Sequence, residues 1–125
     1  MIAGVGIDLI EIDRVASMFA RHGPRFLDRI LAPPEDRARM ERADGAAHLA
    51  GLFAAKEAVM KALGTGMAGA AFSEIAILNR ATGQPYVELL GDTARRALDL
   101  GILGWRLSIT HSRTTAAAVA LALEK

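Results

Sequence analysis

The chain has 125 residues, a formal net charge of +1, 52 % apolar residues and no cysteine. That length is enough for one core without cross-links, and the missing thiols exclude a disulfide framework, thiolate catalysis and cysteine-ligated zinc. A near-neutral charge gives no general pull toward nucleic acid or a membrane surface, and no apolar run has transmembrane length.

The chain opens with an alternating stretch, residues 2–10, that reads as a strand. Val5, Ile7 and Leu9 lie on one face, with Gly4, Gly6 and Asp8 on the other. Two missing side chains on the same face as a carboxylate predict that a ligand or another backbone comes close there. Asp13 is placed to cap a first helix that turns Val15, Met18 and Phe19 inward. Arg14 and Arg21, seven residues apart, share the opposite face, and Arg25 continues it. Pro33-Pro34 predicts a second helix through Met40, and residues 43–47 read as a flexible loop.

Phe53 to Gly66 carries the densest signal: a helix apolar almost all round, then a glycine loop. At about 100° per residue, Leu49, Phe53, Met60 and Leu63 line one face and a run of alanines gives a second, small enough for close packing. Glu57 and Lys61 stand one turn apart at the edge of the apolar stripe. Such a pair is also an ordinary helix-stabilising feature, contributing roughly 0.2–0.5 kcal/mol. Lys56 projects near the middle of the stripe, where an ammonium calls for an anion nearby. Gly64 reads equally well as a helix C-cap. Asp8 and Glu57, on a buried strand and a buried helix, form a donor set suited to a hard cation such as Mg²⁺, which takes one or two carboxylates and completes its shell with water and phosphate.

Strands are expected at residues 72–79 and 86–90, joined across a turn marked by Thr82-Gly83, followed by a helix from 92 to 100 that ends at Gly101. Residues 106–111 and 115–123 form a closing hairpin. His111 shares a face with Leu107 and Ile109; Ser112, its neighbour, points elsewhere and makes no nucleophile pair with it. Helices and strands interleave without a βαβ rhythm, which predicts a small single α+β domain, residues 1–125, with an antiparallel sheet packed against helices. The apolar composition predicts surface buried against other subunits, and the expected location is the cytoplasm.

Gly6-Ile7-Asp8-Leu9-Ile10-Glu11-Ile12, Phe53-Ala54-Ala55-Lys56-Glu57-Ala58, Lys61-Ala62-Leu63-Gly64-Thr65-Gly66 and Leu107-Ser108-Ile109-Thr110-His111 together resemble the holo-[acyl-carrier-protein] synthase family. The order and spacing agree over essentially the whole chain. The resemblance implies transfer of the 4′-phosphopantetheine arm of coenzyme A to a serine of acyl carrier protein, with Mg²⁺ as cofactor, 3′,5′-ADP as the second product and a place in fatty acid biosynthesis. It also implies a homotrimer with active sites at subunit boundaries. Carried onto this sequence, it makes Asp8 and Glu57 the metal ligands and Glu57 and Lys61 the catalytic residues. Lys56, Lys61, Gly64, Thr65, Arg106 and His111 fall beside coenzyme A, and Arg14, Arg21 and Arg25 form the dock for an acidic carrier protein. Glu57 is the first candidate for accepting the serine proton and Glu35 the second.

Two departures stand out. Leu52 occupies the position where the family usually has an arginine, with Gly45-Ala46-Ala47-His48 upstream in place of basic residues, and Ala32 stands where a threonine is common. Arg106 is a candidate for the missing positive charge. Leu52 also leaves open a non-catalytic coenzyme A-binding relative, and the resemblance does not separate the fatty-acid enzyme from a transferase serving polyketide or peptide carrier domains.

Overall fold

A computed structural model describes residues 1–64 and 71–124. Its elements are strand β1 (Ile2–Glu11), helices α1 (Ile12–His22) and α2 (Pro24–Ile30), a 3₁₀ turn at Arg37–Glu41 and the long helix α3 (Gly45–Leu63). A short 3₁₀ turn at Phe72–Glu74 then leads into β2 (Ile75–Asn79), β3 (Pro85–Leu89), α4 (Gly91–Asp99), β4 (Gly104–His111) and β5 (Thr115–Leu123). Both sheets are antiparallel: one has the order β1-β5-β4, and the other is the β2–β3 hairpin. The α+β expectation holds, with two sheets where the sequence suggested one.

The centre of the fold is α3 lying on the inner face of the three-stranded sheet. That face is nearly smooth, since Ala116, Ala118, Ala120 and Ala122 of β5 point into it and are buried. A Cβ added at Gly4 would sit 2.1 Å from the carbonyl oxygen of Ala62, and one at Gly6 only 1.8 Å from that of Ala58. The backbone predicted to approach these glycines is therefore that of α3. This contact requires glycine for space alone, because a side chain there would drive the helix off the strand. Asp8, next on the same face, is thereby aimed at the helix surface one turn beyond the glycines.

The consequence is an inverted strand. Val5, Ile7 and Leu9 face outward and are 62 %, 68 % and 71 % exposed. Their cross-strand partners Leu121, Val119 and Ala117 continue the apolar outer face.

Several boundaries differ from the sequence reading. Helix α1 starts at Ile12 with Glu11 at its N-cap, so Asp13 sits in its first turn, where its charge favours the dipole, and does not cap it. Pro24, directly after Gly23, opens α2; the prolines at 33 and 34 open no α-helix and precede only the 3₁₀ turn. Residues 45–47 belong to α3, because Gly45 is tucked against the Met40 carbonyl, 2.1 Å from a virtual Cβ. Residues 72–74 wind as a 3₁₀ turn before the strand begins.

Candidate active site

Helix α3 carries its two lysines into opposite environments. Lys56 is fully buried, and its ammonium donates to Glu35 Oε1 at 2.6 Å, to the Ile30 carbonyl at 2.5 Å and to the Phe72 carbonyl at 3.1 Å. Three donors meet three acceptors. Glu35 is equally committed: its carboxylate also accepts from the amides of Ala32 at 2.7 Å and Ile77 at 2.8 Å. Burial pushes the Lys56 pKa down, while the charge and hydrogen bond of Glu35 push it back up. The pair ties α3 to the segment after α2, to β2 and to Phe72, whose ring packs on Phe53 with centroids 5.1 Å apart. Within this chain the geometry lends no support to Lys56 as a coenzyme A contact or to Glu35 as a proton acceptor, since the donors of one and the carboxylate of the other are engaged in these internal bonds.

Lys61, five residues on, is half exposed and reaches across to β1. Its Nζ donates to the Ile7 carbonyl at 3.0 Å and to Asp8 Oδ1 at 3.2 Å. It therefore pairs with the strand, and the hydrogen bonds it makes do not go to Glu57 on its own helix. Glu57 is half-buried beside them. Its pKa is raised, first by desolvation and then by the negative charge of Asp8, with Lys61 offsetting only part of this. Two carboxylates and one ammonium thus converge from β1 and α3, leaving an excess of one negative charge at a half-open surface.

That arrangement fits a hard divalent cation. Both donors are carboxylate oxygens, and they repel each other without one. No group of three or more His, Cys, Asp or Glu is gathered for a metal among the described residues; two carboxylates match the small protein share of a Mg²⁺ shell that substrate phosphate completes.

Gly64 adopts a left-handed conformation, φ 76°, and its amide donates to the carbonyls of Met60 and Lys61. Its N–H closes the helix as a C-cap and is itself already engaged. Thr65 and Gly66 lie outside the described residues. His111 and Arg106 separate: His111 is on the inner face of β4 and lines a cleft against α3, whereas Arg106 is exposed on the outer face, opposite Leu121 of β5. Within one chain Arg106 does not reach the α3 side. The Ser112 hydroxyl accepts from the amides of Thr114 and Thr115, a turn role.

Arg14 and Arg21 are exposed on α1, and Arg25 is exposed on α2 beyond the corner at Gly23. The corner adds what the sequence reading missed. His22, Arg25, Phe26 and Arg29 line a concavity of about 410 Å³. The Gly23-Pro24 helix opener was the available signal, because it turns Arg29 into Arg25's neighbour one turn on.

The fold and this site have counterparts among known proteins. The family model described as 4′-phosphopantetheinyl transferase superfamily matches residues 4–121. A holo-[acyl-carrier-protein] synthase of Solidesulfovibrio magneticus is 52 % identical over 95 % of this chain and 96 % of its own length. The crystal structure of holo-[acyl-carrier-protein] synthase from Neisseria meningitidis superposes with a TM-score of 0.91 at 32 % identity, covering 99 % of this chain and 100 % of that one. A holo-(acyl-carrier-protein) synthase from Bacillus anthracis in complex with CoA (3′,5′-ADP) gives 0.81 at 32 % identity, covering 100 % and 99 %. The chain belongs to the 4′-phosphopantetheinyl transferase superfamily.

Proposed function

We propose that this protein is a holo-[acyl-carrier-protein] synthase, moving the 4′-phosphopantetheine of coenzyme A to a serine of apo acyl carrier protein and releasing 3′,5′-ADP. The observation that carries the reading is the meeting of Asp8, Glu57 and Lys61 across β1 and α3. Membership of the superfamily and the printed names of its relatives support it.

Asp8 and Glu57 would hold Mg²⁺, which when bound polarises the phosphorus and offsets charge on the diphosphate. Lys61 holds Asp8 in place through its contacts with Ile7 and Asp8, and its remaining donor would be left for a phosphoryl oxygen. Glu57, its pKa raised first by burial, is the group assigned to take the serine proton. The serine oxygen forms its bond to the β-phosphorus as the bond to 3′,5′-ADP breaks, so the protein's work is positioning and charge stabilisation. The arginines of α1 and α2 form the dock for an acidic carrier protein.

The assembly proposed is a homotrimer with each active site at a subunit boundary. Its support is the outward apolar face of β1 and β5, where burying each of Val5, Ile7 and Leu9 would contribute about 1.5–3 kcal/mol. The same reading takes residues 1–125 as one domain, places the enzyme in the cytoplasm and assigns it to fatty acid biosynthesis; no helix among the described residues is long and apolar enough to cross a membrane.

The test mixes the protein with Mg²⁺, coenzyme A and purified apo carrier proteins of the fatty-acid, polyketide and peptide types, and reads carrier mass. A gain of one phosphopantetheine, lost with EDTA, is the expected result for the fatty-acid carrier. Binding of coenzyme A without any mass gain defeats the reading.

A further inference from the structure

A second concavity, of about 270 Å³, lies between the first half of α3, the β2–β3 hairpin and β4. Gly51 lines it six residues before Glu57, about 9 Å along the helix axis, so it begins a nucleoside's reach from the carboxylate pair. Leu52, Ile77 and Ile109 give it apolar lining, and Arg39, Asp44 and His48 line it as well. We propose that Arg39 is the group that receives the ribose 3′-phosphate of coenzyme A in this chain. The proposal rests on coenzyme A being the substrate and adds the residue that grips its nucleotide end.

Among the described residues lining the cleft, Arg39 is the one permanent cation. His48 is half-buried, and desolvation, then the charge of Arg39, hold its pKa below the ordinary histidine value, leaving it neutral near pH 7. Leu52 brings no charge. The 3₁₀ turn that carries Arg39 is fixed by Asp36, whose Oδ1 accepts from the Ala38 amide at 3.1 Å and whose carbonyl accepts from the Arg39 amide at 3.2 Å. The guanidinium is aimed by a fork to Asp44, with Nη1 and Nη2 donating at 2.7 and 2.8 Å. Two of its five N–H groups are used there, and the other three remain for a phosphate. Asp44 is 67 % exposed and Arg39 only 22 %. The carboxylate can therefore turn into water when a dianion arrives, while the guanidinium stays in place.

Transfer kinetics with coenzyme A and with 3′-dephospho-coenzyme A test this, since the two donors differ by that phosphate alone. The wild type should show a KM for coenzyme A roughly ten- to a hundredfold lower than for the dephospho donor. Arg39→Ala should erase that preference by raising the KM for coenzyme A, with kcat and the dephospho KM unchanged. A variant that keeps the preference overturns the assignment. Arg39→Lys, which keeps the charge without the fork, should show an intermediate preference and carries the same comparison should Arg39→Ala not fold. If the wild type transfers from neither donor, the proposed reaction fails, while calorimetric binding of the two donors to wild type and Arg39→Ala still decides the role of Arg39.

Discussion

Lys56 and Lys61 sit on one helix, five residues apart, and show how a charged group reads as architecture or as chemistry. Lys56 is closed: buried, matched one to one with Glu35 and carrying three hydrogen bonds to three segments. Lys61 is open: half exposed, bonded to β1, and set among carboxylates that outnumber it. A site poised for a ligand is electrically unfinished; a structural pair is complete. Cutting into the two groups should therefore have opposite effects on activity and stability.

The largest effect is expected at the open cluster. Glu57→Gln should lower Mg²⁺-dependent transfer by about 10³-fold, the rate equivalent of ~4 kcal/mol. The same change should stabilise the fold at neutral pH when no divalent ion is present. Because the Glu57 pKa is raised on folding, the unfolded chain releases its proton first, and stability falls as pH rises from the ordinary carboxylate value through the raised one. Glutamine removes that loss, so the melting temperature of Glu57→Gln should exceed wild type at pH 7 and the advantage should vanish below the ordinary glutamate pKa. Thermal melts across pH, with and without Mg²⁺, check it. An unstable but active Glu57→Gln would reverse the comparison.

The closed pair should respond in the other currency. Lys56→Met leaves the Glu35 carboxylate buried against two amides without its cation, a change expected to destabilise by about 3–5 kcal/mol in urea unfolding. Coenzyme A affinity in the protein that remains folded should be unchanged, measured by calorimetry. A large loss of affinity in a stable Lys56→Met would return Lys56 to the ligand. Adding Glu35→Leu should recover part of the loss, since an apolar replacement for a buried ion pair is often near neutral; the amides of Ala32 and Ile77 would still lack their acceptor.

Much of this contrast was present in the sequence, and what was absent has physical reasons. The alternation of β1, the demand of Gly4 and Gly6 for a close neighbour and the need of Lys56 for an anion all follow from local rules. The identity of the neighbour and of the anion depends on contacts across 58 and 21 positions of chain, from Gly4 to Ala62 and from Lys56 to Glu35, which no window of periodicity contains. The family resemblance sets Lys56 beside the substrate because it transfers positions, whereas the partners that bury it in this chain lie in distant segments. The α2 helix was missed for another reason: seven residues are too few for a periodic signal, leaving Gly23-Pro24 as the only cue. Arg39 had no cue at all. It lies in a 3₁₀ turn far from every quoted motif, and only the tertiary fold brings it beside His48 and His111.

The smallest expected effect belongs to the arginines, which are neither closed nor set against a charged partner. Arg14 and Arg21 are exposed, so in the proposed dock each would act on a carrier protein's approach mainly through a field that salt screens over about 10 Å at 0.1 M. Replacing both by glutamate reverses two charges and so shifts the net charge of that face by four units, which should raise the KM for acyl carrier protein severalfold at low salt and much less at high salt. The proposed coenzyme A site involves α3 and not the exposed face of α1, so the KM for coenzyme A should stay constant. Steady-state kinetics with each substrate varied at two ionic strengths separates the cases. Equal shifts in both constants would mean that the double variant has disturbed α1 itself, whose buried Val15 anchors it to the core, and the docking face would lose its support.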